Sequence, residues 1–504
     1  MGSRQTTVAG MPITRLLTLV TISFGLGMMT WLLASPVGSS PDEPAHITYA
    51  WGLSTGQGPG GPDPACEPYG QCPLTFYDVP DGLVPDPACY RFDTSVTVEC
   101  RTTAASPAST AATRYPPPFY IATGLGMRAA LGAGASPEGA LLVARAISAV
   151  IAGSLFVGAI AAALRLRRGL AGMVLIVTTP MAFFLSASVN PNGVEIAAAV
   201  SVAVIFAAST KPPTGAVLGL FAWSSFWLAW SRPVGWLWLL LVVLFGLGIQ
   251  WLRTRPTGVR EFVVDWRWTL ASTAIGGCTA FGWTLYALGA HASRADTGVT
   301  LPLNPGGRRV ALILRLGDMT TEALGSLGWL DTTIPSIMRL VLLFSLFGAI
   351  VLSLAHPASV SERRVSLAYL ITVVALIVFI MNRQSFLWQG RYALPPIAAG
   401  LIYLVGSGTD DHRSIILRLG GISWIVSAAS ALWLYARYAF GLTRGPRFAV
   451  PNLDLDAQWT PTGGIGLFLG LTVLTCITGT AAVRSIMRFE TDAAQLNADT
   501  LADR

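Results

Sequence analysis

Long apolar runs, broken by short polar stretches, repeat along the chain from residue 14 to residue 485. They fall near residues 14–34, 139–164, 171–188, 193–209, 216–231, 234–252, 269–290, 334–355, 365–382, 391–407, 418–439 and 464–485. A helix needs roughly 20 such residues to cross a hydrocarbon core of about 30 Å. The pattern therefore predicts an all-α polytopic membrane protein of about 12 transmembrane helices, a single integral membrane domain over residues 1–504.

The polar positions orient this array. Arg165/Arg167/Arg168, Arg253/Arg255/Arg260/Arg267, Arg363/Arg364, Arg413/Arg418 and Arg484/Arg488 occupy alternate connections. Short arginine-rich connections mark the cytoplasmic side of a membrane protein, so both termini are expected in the cytoplasm. One further apolar stretch, FYIATGLGMRAALGAGA at 119–135, would invert every later connection if it were a span. Arg128 in its middle favours a helix lying along the outer face.

Composition agrees with the pattern. Over 504 residues, 53% are hydrophobic, 12% are charged and the mean hydropathy is +0.58, more apolar than a soluble core requires. The net charge of +7 could suggest nucleic acid, but its arginines sit as short clusters between apolar runs, so no nucleic-acid partner is expected. No G-x-x-x-x-G-K-[ST] occurs, and the one lysine, Lys211, stands in a Pro-rich turn. Nucleoside-triphosphate hydrolysis is therefore not expected.

Three substantial external loops are expected, at 35–138, 291–333 and 440–463, with a cytoplasmic tail at 486–504. The first loop carries Cys66, Cys72, Cys89 and Cys100, and an external compartment favours disulfides. Local pairing, Cys66 with Cys72 and Cys89 with Cys100, is preferred because the loops are short; a zinc site is the alternative, though no C-x-x-C is present. Cys278 and Cys476 fall in spans and read as small core residues. Asp454 and Asp456 in PNLDLDAQW either ligate a divalent cation or solvate a loop; no other cofactor is implied.

Candidate chemistry gathers just beyond the first span, in SSPDEPAHITYAW at 39–51. On a helix Asp42, Glu43 and His46 share one face. A carboxylate there can serve as a general base at a membrane boundary. The competing reading is a helix start, with Ser40 as N-cap, Pro41 in the first turn and Glu43 closing a capping box. Three arginines, Arg232, Arg383 and Arg391, map to the outer side, where the charge rule gives no reason for them. They form structural ion pairs, Glu195 being one partner, or their guanidinium forks hold a lipid phosphate. Trp388 and Tyr392 belong to an interfacial belt or stack on a sugar.

The ordered blocks PDEPAH, RYPPPFYIATGL, ARAISAV, SVNPNGVEIA, GSLGWLDTTIP and QGRYALPPIAAGL resemble those of a bacterial membrane-protein family called domain of unknown function 2142. That family in turn resembles the GT-C superfamily of membrane glycosyltransferases, which carry a catalytic carboxylate in the first external loop. The resemblance implies a GT-C-like fold in the bacterial plasma membrane and transfer of a sugar from a polyprenyl-phosphate donor to a cell-envelope glycan or glycolipid acceptor. Asp42 matches the carboxylate; Tyr115 stands where those enzymes carry a histidine and joins the substrate-binding set. Asn192 replaces an acidic residue frequent in relatives. Two other classes stay open: a transporter or flippase of lipid-linked glycans, and a non-catalytic polysaccharide-assembly protein.

Overall fold

The computed structural model describes residues 13–57, 75–86, 106–166, 169–290, 305–355, 359–383, 388–406, 412–440 and 459–502. Within them the chain is almost wholly helical. Eight helices are long and apolar enough to cross a membrane: α1 (Ile13–Leu33), α4 (Pro137–Arg165), α7 (Pro191–Ala208), α9 (Gly235–Thr254), α13 (Ser336–Ala355), α14 (Val360–Arg383), α16 (Arg413–Phe440) and α17 (Gly464–Ala502). Shorter or less apolar helices complete the bundle: α2 (Glu43–Ser54), α3 (Pro118–Gly132), α5 (Ala171–Val177), α6 (Pro180–Ser186), α8 (Gly215–Trp230), α10 (Val259–Asp265), α11 (Arg267–Ala290), α12 (Pro305–Gly325) and α15 (Gly390–Gly406).

One expected span takes another form, and two segments outside the expected spans are helical. The run at 171–188 is two seven-residue helices, because Thr179 caps a new helix at Pro180, whose missing N–H cannot continue the first. The stretch at 119–135 is α3, 15 residues packed between α2 and α4, with Arg128 exposed and donating to the Ser54 carbonyl. Within the expected loop 291–333 lies α12, an amphipathic helix whose Val310, Ile313 and Leu314 face outward. Cys278 also faces outward, on α11, and is no core residue; Cys476 is half-buried.

The centre of the bundle is α7, buried along its whole length and packed against α4, α6, α8, α9 and α15. A helix surrounded on all sides must be apolar on all sides. Its run of Ala, Val and Ser also lets five neighbours approach closely. Asn190 accepts from the Asn192 amide at 3.0 Å and Pro191 opens the first turn, which fixes where α7 begins.

One end of the bundle carries extra structure. A two-stranded antiparallel ladder, β1 (Thr75–Tyr77) with β2 (Ala108–Thr110), lies on α2, tied by the Thr110 hydroxyl donating to the Ala45 carbonyl at 2.7 Å. A second ladder, β3 (Ser326–Leu327) with β4 (Thr332–Thr333), brings Trp329 to the Gly38 carbonyl. The α1–α2 turn, the α6–α7 junction, the α8–α9 turn and the start of α15 all meet here.

Candidate functional site

The site is built on the turn between α1 and α2. Asp42 is the N-cap of α2 at φ 62°, ψ 2°, a left-handed conformation that aspartate tolerates better than most residues. It makes no side-chain capping bond. The expected capping box, with Ser40 as cap and Glu43 at the third position, is therefore not formed: the helix starts at Glu43 itself. Pro44, which needs no N–H partner in a first turn, fits that start, and Glu43 is taken up elsewhere.

Glu43 is fully buried and paired with Arg145 of α4 through two parallel 2.7 Å bonds, from Nε to Oε1 and from Nη2 to Oε2. Its oxygens also accept the amides of Gly38 at 2.8 Å and Val189 at 3.0 Å. Arg145 spends its remaining donors on the carbonyls of Leu32, Ser35 and Pro36. Burial alone would raise the Glu43 pKa, but Arg145 and the two amides hold it below the usual carboxylate range. This ion pair is saturated, and it pins α1, the turn, α4 and α7 together. Gly38 sits at φ +88° beside Pro85, where a Cβ would collide.

Asp42, one residue earlier, is different. Its Oδ2 accepts from Nη2 of Arg391 at 2.6 Å, and Oδ1 has no hydrogen bond among the described residues. The Asp42 side chain is 45% exposed while that of Arg391 is 1% exposed, so the carboxylate lines a recess walled by buried side chains. Burial pushes its pKa up, yet Arg391, His46 and Arg232 outweigh that effect and the group is held below its ordinary value. Asp42 is ionised at neutral pH.

Two arginines stand over this recess with donors to spare. Arg391 also donates to the Tyr392 hydroxyl at 2.9 Å, but its Nε and Nη1 are buried and unpartnered. Arg232, on the α8–α9 turn, reaches Glu195 of α7 at a long 3.5 Å, and its Nε is unpartnered. Both guanidinium carbons lie within 5 Å of the Tyr392 ring centre, at 4.9 and 4.1 Å. Glu195 Oε1 and the side-chain nitrogen Nδ2 of Asn192 are likewise buried without partners. A buried unpaired donor ordinarily costs free energy; here several lie near one accessible carboxylate, with hydrogen-bonding capacity that the described residues leave unused.

His46 closes the recess from below. Its Nδ1 lies 2.9 Å from the Tyr120 hydroxyl, and the Tyr115 ring meets the imidazole edge-on at 5.5 Å. Burial lowers the His46 pKa to about 4 despite the opposing charge of Asp42, so the ring is neutral at pH 7. Tyr115 also lies beneath Arg232, 5.8 Å from its guanidinium carbon.

The start of α15 is held by α12. Arg315 forks onto Glu322 at 2.6 and 3.1 Å and donates to the Trp388 carbonyl at 2.9 Å, while Glu322 accepts the Gly390 amide. Gly390 touches α12 so closely that a Cβ would strike the Met319 carbonyl. Trp388 is buried, its ring edge-on to Tyr392 at 5.5 Å, and so belongs to the protein interior and not to an interfacial belt.

Asp42, Glu43, His46, Arg232, Arg391, Tyr392, Trp388 and Tyr115 thus converge at one end of the bundle. Arg383 is the last residue of α14; its side chain, Asp454, Asp456 and the four loop cysteines lie outside the described residues. Among the described residues no cluster of three His, Cys, Asp or Glu is placed to hold a metal. Sequence reasoning overlooked Arg145, Tyr120 and the Arg315–Glu322 pair. For Arg145 a signal existed: an arginine inside an apolar 29-residue helix demands a buried partner.

No curated protein matches the chain. Residues 24–400, which contain every site element from the α1–α2 turn to the start of α15, match a family model described as a predicted membrane protein. The chain is therefore a multi-pass membrane protein belonging to the domain of unknown function 2142 family.

Proposed function

We propose that the protein is a membrane glycosyltransferase that passes a sugar from a polyprenyl-phosphate donor to an acceptor outside the cytoplasm, with a GT-C-like fold of about 12 spans. The observation that carries this reading is the unequal state of two neighbouring carboxylates. Glu43 has every oxygen occupied, whereas Asp42 keeps Oδ1 free beside two arginines with unpartnered donors. A base and a phosphate clamp in one recess are what displacement of a phosphate leaving group requires.

In this mechanism the acceptor hydroxyl oxygen attacks the anomeric carbon as its proton passes to Asp42 Oδ1. The bond from that carbon to the phosphate oxygen breaks, and its electron pair leaves with the lipid phosphate held by Arg391 and Arg232. The displacement inverts the anomeric centre. The resting bond from Arg391 to Asp42 gives the sequence an order: a phosphate competing for Arg391 neutralises the charge that depresses the Asp42 pKa and so strengthens the base. His46, Tyr115, Tyr392 and Trp388 shape the sugar pocket. The orientation placing this end outside follows the arginine clusters.

Purified protein given a synthetic polyprenyl-phosphate sugar should release free polyprenyl phosphate, and Asp42→Asn should reduce release by roughly 10²- to 10⁴-fold with unchanged thermal stability. Asparagine also tolerates the left-handed backbone. Full activity in that variant would remove Asp42 from the chemistry, and no release by the wild type would favour a transporter or assembly role.

A further inference from the structure

A cavity of about 290 Å³ lies among α5, α12, α13, α14 and α15. Its wall along α15 consists of Gly390, Ala393, Leu394, Ile397, Ala398 and Leu401. That spacing is one face of a helix, and eleven steps of 1.5 Å carry it about 16 Å down from Gly390 to Leu401. The other walls are similarly apolar. Thr179 and Thr320 are exceptions in composition only, because their hydroxyls already donate to the carbonyls of Ala323 and Leu316. Nothing in this lining asks for a polar ligand. At the rim, Thr320 of α12 and Val374 of α14 are exposed, so the cavity reaches the outer surface of the bundle.

We infer that this cavity seats the hydrocarbon chain of a single-chain lipid phosphate whose head lies against Arg391 and Arg232. The inference rests on reading those arginines as phosphate ligands. Position and charge together select the occupant. The apolar channel begins at Gly390, one residue before a buried guanidinium with two unpartnered nitrogens, so the ligand is an amphiphile with its anion joined to the start of its chain. The volume stands near the lower end of ordinary ligand pockets, which suits one chain and not the two of a glycerophospholipid. It also holds only the part of a long chain nearest the phosphate and leaves the remainder in the bilayer. Recognition is therefore indifferent to length beyond that part.

α12 forms the roof of this channel, and the Arg315–Glu322 fork locks the roof to residues 388–390. The seat for the chain and the arginine for the head are thus fixed to each other through one short piece of backbone.

The test uses full-length protein in detergent and farnesyl phosphate bearing a diazirine on its second isoprene unit. Crosslinks should map to α12, α13 or α15. Unlabelled farnesyl phosphate and longer prenyl phosphates should compete equally, and phosphatidylglycerol should compete at least tenfold less well. Ala398→Phe, which fills the channel, and Thr320→Trp, which narrows its mouth without touching the core, should each weaken labelling about tenfold. Labelling elsewhere, equal competition by phosphatidylglycerol, or insensitivity to both filling variants overturns the inference. Correct labelling without sugar release by the wild type would instead overturn the transferase reading and leave the chain seat standing.

Discussion

Glu43 and Asp42 are consecutive carboxylates, each paired with an arginine from a distant helix, and they make opposite use of it. In the Glu43–Arg145 pair both side chains are at most 1% exposed, and every oxygen and every donor is spent within the protein. In the Asp42–Arg391 pair one oxygen, one Nε and one Nη1 are left over, and the carboxylate opens to the recess. A saturated buried pair organises structure; an unsaturated one is prepared for something absent. The difference teaches that the acidic motif is not a unit. Its second residue secures the turn so that its first can be displayed.

The sharpest way to break this contrast is to remove Arg145. Arg145→Ala leaves Glu43 buried and unpaired, and such losses cost about 3–5 kcal/mol. The thermal midpoint should fall steeply, and Glu43→Gln should repeat part of the loss; a stable Arg145→Ala protein would refute the anchoring role. A smaller effect is expected from Arg391→Lys, which keeps the charge and loses the fork. A charge-assisted hydrogen bond contributes about 1.5–3 kcal/mol, so donor affinity should weaken roughly ten- to a hundredfold with little change in the thermal midpoint. Unchanged affinity in Arg391→Ala would take that residue out of the phosphate site.

A third effect, confined to acid pH, concerns His46. Its folded pKa of about 4 lies below the ordinary 6.5, so the unfolded chain binds the extra proton. The stability it contributes is complete above pH 6.5 and is lost as pH falls towards 4, by at most about 1.4 kcal/mol per pH unit. Thermal midpoints measured from pH 7 to pH 4.5 should fall less in His46→Asn than in wild type. Parallel curves would show that the imidazole is not buried neutral.

Much of this was legible in advance. Apolar periodicity gave the helical membrane class, and misplaced arginines pointed to Arg232 and Arg391 before any geometry was known. Even the Glu195 partner of Arg232 was nameable, since a buried cation wants the nearest carboxylate. What could not be read was which carboxylate is spent. Asp42 and Glu43 are chemically alike, and their fates depend on Arg145 and Val189, more than a hundred residues away along the chain. The fork of α12 onto residues 388–390 also depends on tertiary contacts that no local pattern encodes, whereas the break at Thr179–Pro180 carried a local signal in the sequence.

The paired prolines of α15 carry one more consequence. Pro395 and Pro396 have no N–H to offer, so the carbonyls of Arg391 and Tyr392, four residues earlier, lack their usual helical donors. The first turn of α15 therefore has fewer bonds to the helix below it than an ordinary helix start, and the Arg315–Glu322 fork of α12 holds it in their place. The position of Arg391 is thus set from α12 as much as from the helix it begins.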